Sequence, residues 1–135
     1  MKYFIHIYSY NINLYCKKLI LYSDTLGGEI MAKLVNNSQF YNKIRTSDKL
    51  VVMDFFATWC GPCKMLAPIF ESLSSEMSDK VDFAQIDIDR SLEVVEEYKI
   101  VSVPTMIIFK NGKEVQRIVG FVPKEQIKSK IKAHL

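Results

Sequence analysis

Cys60 and Cys63 stand in the stretch Thr58-Trp59-Cys60-Gly61-Pro62-Cys63-Lys64. Thiols at this spacing are compatible with a redox couple, half of a zinc site, or a pair of inert core residues. A structural zinc needs about four ligands. Outside the pair the chain offers only Cys16, His6 and His134, with no second pair at ligand spacing, so no metal is expected. Inert packing suits Cys60 poorly, because Trp59, Gly61 and Pro62 predict a turn.

The redox chemistry accounts for each residue. Proline is well tolerated in a first helical turn, which places a helix start at Gly61 or Pro62. A helix N-terminus offers partial positive charge and free amide donors, both of which favour a thiolate. Cys60 lies at that end, outside the first turn, and is expected to meet solvent and act as the nucleophile. Cys63, one turn on, is expected to face the core and to resolve the mixed disulfide. Lowering a thiol pKa from about 8.5 to about 7 raises its thiolate fraction roughly fifteen-fold at pH 7, but lower basicity removes about five-fold of that gain. Placement of the second thiol therefore matters more than acidity, and Gly61, Pro62 and Lys64 are the residues expected to tune the pair.

The surrounding elements read as an α/β domain. Asn36, Asn37 and Ser38 are helix-cap residues after the short apolar piece Lys33 to Val35, and a helix through Phe40, Tyr41 and Ile44 should end near Ser47 and Asp48. Leu50 to Phe56 is a continuous apolar run, expected as a strand covered on both faces. Leu66, Ile69, Phe70, Leu73 and Met77 form the apolar stripe of the next helix, and Pro68 inside it predicts a kink. Val81 to Asp89 should be a strand, and Leu92 to Tyr98 a helix. Thr105 to Phe109, Asn111-Gly112 and Glu114 to Val119 give a hairpin signal, followed by a helix from about Lys124 onward. Lys124, Lys128, Lys130 and Lys132 read as a solvated helix face, not a nucleic-acid patch.

WCGPCK after a buried strand resembles the active site of the thioredoxin family. The resemblance extends over residues 31–135 and includes Asp54, Pro68, Val103-Pro104-Thr105, the Phe109 to Lys113 hairpin and Gly120. It implies a thioredoxin fold, with a central mixed sheet of four to five strands and about four helices. The implied activity is reduction of protein disulfides through a redox-active Cys60–Cys63 pair, with no cofactor of its own and with a thioredoxin reductase restoring the dithiol. Asp54 would take the proton of Cys63, a task that a pKa raised by burial suits. Pro104 would be cis and face the cysteines, and Val103 would offer its backbone to an extended client. Trp59, Pro62, Gly120 and Phe121 would line the apolar contact surface. Two positions depart from the pattern. Phe56 stands where many relatives have a second Trp, and Gln85 where many have a Lys near the buried Asp. Two rival functions fit the same motif: a scaffold subunit using the fold, and a thiol oxidant or isomerase of a secretory compartment.

The full chain has 135 residues, a formal net charge of +3 and three cysteines. That is enough for one domain with a real core, and it is not a disulfide-rich secreted framework. The first thirty residues differ in character: they hold five of the seven tyrosines and contain no Ala, Val, Pro or Arg. Asn11, Asn13, Lys17 and Lys18 interrupt the apolar stretch, which makes a poor signal peptide and no membrane span. Gly27-Gly28-Glu29-Ile30 is what a purine-rich ribosome-binding sequence encodes when read through. A start at Met31 is thus expected, with residues 1–30 a doubtful extension and residues 31–135 the domain, acting as a cytoplasmic monomer away from nucleic acid and membrane. Native mass should show a chain beginning at Met31 or Ala32, and peptides covering Tyr3 to Tyr22 would contradict this.

Overall fold

The computed structural model describes residues 32–135. Cys16, His6 and the upstream segment ending at Met31 lie outside the described residues. From Ala32 onward the elements are β1 (Lys33–Leu34), α1 (Asn37–Thr46), β2 (Leu50–Phe56), α2 (Gly61–Met77), β3 (Val81–Asp87), α3 (Leu92–Glu97), β4 (Thr105–Lys110), β5 (Lys113–Val119) and α4 (Lys124–Lys132). The strands make one sheet in the order β1-β3-β2-β4-β5. β2 pairs in parallel with β3 and antiparallel with β4, so the mixed sheet of four to five strands that the resemblance implies is present, with five strands.

β2 is central, and this explains its unbroken apolar run. Leu50 and Val52 face a core shared with Leu66, Phe70 and Leu73 of α2 and Ile127 and Ile131 of α4. Val51, Met53 and Phe55 face the opposite core with Phe40 and Ile44 of α1 and Val94 of α3. Phe40 anchors this second core: its ring meets those of Tyr98, Phe109 and Phe55 edge to face, at centroid distances of 5.2, 5.7 and 6.0 Å. Each such pair contributes about 0.5–1.5 kcal/mol beyond simple burial. Strand alternation puts Asp54 on the α2 side, with Leu50 and Val52.

Local signals act where expected. Asn36 is the N-cap of α1 and forms a reciprocal capping box with Gln39, satisfying two otherwise free amides. Asn111 and Gly112 take φ values of 52° and 76° in the hairpin turn, the left-handed pair that a tight hairpin requires. α2 runs as one helix through Pro68.

Two expectations change. β3 ends at Asp87 rather than Asp89, because the Asp87 side chain accepts from the Asp89 amide and starts a 3-10 turn over Ile88–Arg90. The lysines of α4 are also not all free in solvent. Glu76 of α2 accepts from both Lys124 and Lys128, and Lys124 also donates to Ser72 Oγ at 2.8 Å. These contacts tie α4 to α2, and the Lys124 hydrogen bond, followed by that of Lys128, holds the Glu76 carboxyl down at about 2.

Candidate active site

The C-terminal end of β2 leads through a turn at Thr58 and Trp59 into α2, and Cys60 is the N-cap of that helix. Its Sγ accepts the amide of Cys63 at 3.2 Å, filling the position usually taken by a Ser or Asp oxygen. The helix N-terminus thus directs a donor at this sulfur. Cys60 and Cys63 form a disulfide, with their Cα atoms 5.3 Å apart.

Cys60 is less open than the sequence suggested: each cysteine is only 5% exposed. The pair forms a small cluster with Ala57, against which Phe56, Ile88 and Val103 pack. Cys60 Sγ lies 3.6 Å from the Val103 carbonyl oxygen, and this contact across 43 residues is what covers a sulfur that the local turn would have left open. Gly61, Pro62 and Lys64 are exposed. A Cβ at Gly61 would meet no atom within 4 Å, so no steric crowding explains a glycine there.

The Val103–Pro104 bond is cis, and Pro104 is buried and Val103 half-buried. The Pro104 carbonyl accepts from the Gly120 amide at 2.8 Å. Gly120 has a φ of 82°, a conformation that glycine takes without steric cost, and Phe121 beyond it is 40% exposed. Val103, Pro104 and Gly120 are therefore linked to one another, and Val103 to Cys60. Trp59 is 68% exposed, which excludes a core role. Its indole Nε1 donates to Asp89 Oδ2 at 2.9 Å. Asp89 was not anticipated as a site residue, since nothing in its local pattern points to a partner 30 positions away.

Asp54 is fully enclosed, with 1% of its surface exposed. Burial raises its carboxyl to about 6, and a hydrogen bond from Gln85 works in the opposite direction. Gln85 Nε2 donates to Asp54 Oδ2 at 3.1 Å. The position that departs from the family pattern thus supplies a neutral donor, and the lowering influence is reduced rather than absent.

The family model described as Thioredoxin matches residues 31–133. The chain belongs to the thioredoxin family. Among curated relatives, the thioredoxin of Staphylococcus epidermidis is 44% identical over 101 residues, covering 75% of this chain and 95% of the relative. A Staphylococcus aureus thioredoxin is 41% identical with the same coverage of both chains. Of the solved structures, Malassezia sympodialis thioredoxin superposes with a TM-score of 0.69 at 36% identity, covering 76% of this chain and 90% of that one. A chain from a study of thiol resolution in yeast mitochondrial 1-Cys peroxiredoxin gives a TM-score of 0.68 at 33% identity, covering 76% of this chain and 94% of that one. Thioredoxin homology together with the Cys60–Cys63 pair makes this protein a thiol-disulfide oxidoreductase acting on protein disulfides, and favours that function over the scaffold and secretory-oxidant alternatives. No helix among the described residues is long and apolar enough to cross a membrane.

Proposed function

We propose that this protein reduces client disulfides with Cys60 as nucleophile, Cys63 as resolver and Asp54 as the base that serves Cys63. The observation that carries the proposal is the Cys63 amide directed at Cys60 Sγ from the start of α2. In the dithiol form the same donor favours a Cys60 thiolate. That thiolate attacks one sulfur of a client disulfide, forming a mixed disulfide and releasing the other client sulfur as a thiolate. Cys63 then gives its proton to Asp54 and attacks Cys60 Sγ. The Cys60–client bond breaks, the Cys60–Cys63 disulfide forms, and the second client cysteine leaves as a thiolate. The client gains two electrons and the Cys60–Cys63 pair loses two.

An extended client segment pairs with the backbone of Val103, beside Pro104, in strand addition. Trp59, Pro62, Gly120 and Phe121 provide the apolar rim, with the indole of Trp59 steadied by Asp89. Gly61, Pro62 and Lys64 tune the potential of the pair. Residues 31–135 make up the working domain, a cytoplasmic monomer. The return of electrons falls to a thioredoxin reductase, and disulfide-bearing proteins are the partners on the other side. Reduction of insulin, followed by its precipitation, should proceed catalytically with NADPH and a thioredoxin reductase. Failure to turn over with that reductase, alongside activity with a small dithiol, would reject the reductase assignment.

A further inference from the structure

The Asp54 carboxyl is satisfied on one side only. Oδ2 accepts from Gln85 Nε2 at 3.1 Å, whereas Oδ1 is buried without a hydrogen-bond partner. Gln85 is itself held from both sides. It pairs with Asp54 across β2–β3 and with Leu34 across β1–β3, and its carbonyl accepts the Val35 amide at 2.8 Å. The backbone that carries the amide is therefore interior to the sheet and cannot swing away from the carboxyl.

We propose that Gln85 is a positioning residue that occupies Oδ2 and thereby makes Oδ1 the oxygen that takes up and returns the proton of Cys63. The inference rests on Asp54 being the base for resolution. The Gln85 Nε2 group can only donate, and a carbonyl-like oxygen accepts better than a protonated one. A proton arriving at Asp54 therefore settles on Oδ1, where it also relieves the desolvation of an unpaired buried oxygen. Among the described residues the carboxyl's surroundings are otherwise uncharged. Met106 of β4 stands opposite it in the sheet, and α2 and α4 bring Leu66, Phe70, Ile127 and Ile131 to the same side. Cys63 lies in the first turn of the same α2, and it is the group that the proposed function pairs with this carboxyl. Burial and the Gln85 hydrogen bond are the influences that set the carboxyl's titration.

Gln85→Leu removes the donor and keeps an uncharged side chain of similar size. Measured by NMR on the full chain, the Asp54 midpoint should rise by about one pH unit. The pH at which resolution of a mixed disulfide reaches half its maximal rate should rise with it, leaving resolution up to about tenfold slower below that point. In wild type the side-chain amide resonances of Gln85 should titrate with the Asp54 carboxyl. Combined with Asp54→Asn, Gln85→Leu should leave the resolution profile unmoved. Gln85→Lys places a charged donor at the same position and should lower the midpoint, which keeps the idea testable if the Leu variant does not fold. Amide resonances that ignore the Asp54 titration, or a profile shift that persists without the Asp54 carboxylate, overturn the inference. If Asp54→Asn slows resolution while both Gln85 variants leave the profile in place, only the role of Gln85 falls. If Asp54→Asn leaves resolution unchanged, the assignment of the base falls and this inference falls with it.

Discussion

Cys63→Ser should accumulate mixed disulfides with client proteins, while Cys60→Ser should accumulate none. The asymmetry follows from the position of each sulfur relative to α2. Cys60 is the N-cap and receives the Cys63 amide, so its thiolate survives loss of the second thiol. Without Cys63 no internal nucleophile remains to break the Cys60–client bond, and the adduct persists until an external thiol arrives. Cys63 lies inside the first turn of α2, where, among the described residues, no amide of the helix start is directed at its sulfur as one is at Cys60, so it is not expected to substitute as the attacking group. Both variants should lose catalytic turnover in insulin reduction, on the order of 10³-fold or more, because each half of the cycle needs a sulfur that serine cannot replace. Gel analysis under non-reducing conditions, with mass spectrometry of the adducts, reads the result. Equal trapping by the two variants, or trapping through Cys63 alone, would reverse the assignment of roles.

Asp54→Asn should stabilise the fold and slow resolution, and the two effects have one cause. The carboxyl is buried and titrates near 6 in the folded protein against an ordinary value of 3.8. The sign follows from proton binding. Between those two values the folded state holds more protons than the unfolded state, so stability falls as pH rises through this window. Below it Asp54 carries no penalty, and above it the full penalty remains. A displacement of about two units corresponds to about 3 kcal/mol. Asparagine removes that penalty but buries an amide donor of its own, at a cost of about 1 kcal/mol. A net gain of about 2 kcal/mol is expected at pH 8, and a net loss of about 1 kcal/mol at pH 3.5, where only the cost of the buried amide remains. Urea unfolding at the two pH values measures this, and an equal difference at both would show that ionisation of Asp54 is not responsible. In rapid kinetics the first attack by Cys60 should be unaffected and the second step slowed by about 10²-fold, the usual range for loss of a general base.

Much of this architecture was legible from local patterns, for reasons that differ by element. The apolar stripe of α2 and the capping residue of α1 are set within a few residues of chain, since periodicity and caps act over one or two turns. The Asn111-Gly112 turn was equally plain, because few residue pairs accept two successive positive φ values. The run from Leu50 to Phe56 announced a strand buried on both faces, as the central place of β2 bears out. The family likeness was visible because the WCGPCK stretch, Asp54, Val103-Pro104 and Gly120 occur in order along one chain.

Tertiary structure decided what depends on groups distant in sequence. Cys60 looked open because its neighbours make a turn, yet the carbonyl of Val103 closes over it. Trp59 stands exposed at the rim with its indole held by Asp89, a partner that no spacing rule connects to it. The resemblance marked Gln85 as the position of a missing cation, but only the register of β2 against β3 sets it beside Asp54 as a hydrogen-bond donor. Backbone propensity and apolar periodicity are properties of neighbouring residues, and so they can be read along the chain. The exposure of a sulfur, the partner of an indole and the ionisation of a buried carboxyl depend on which distant segments exclude water from them, and that exists only once the sheet has assembled.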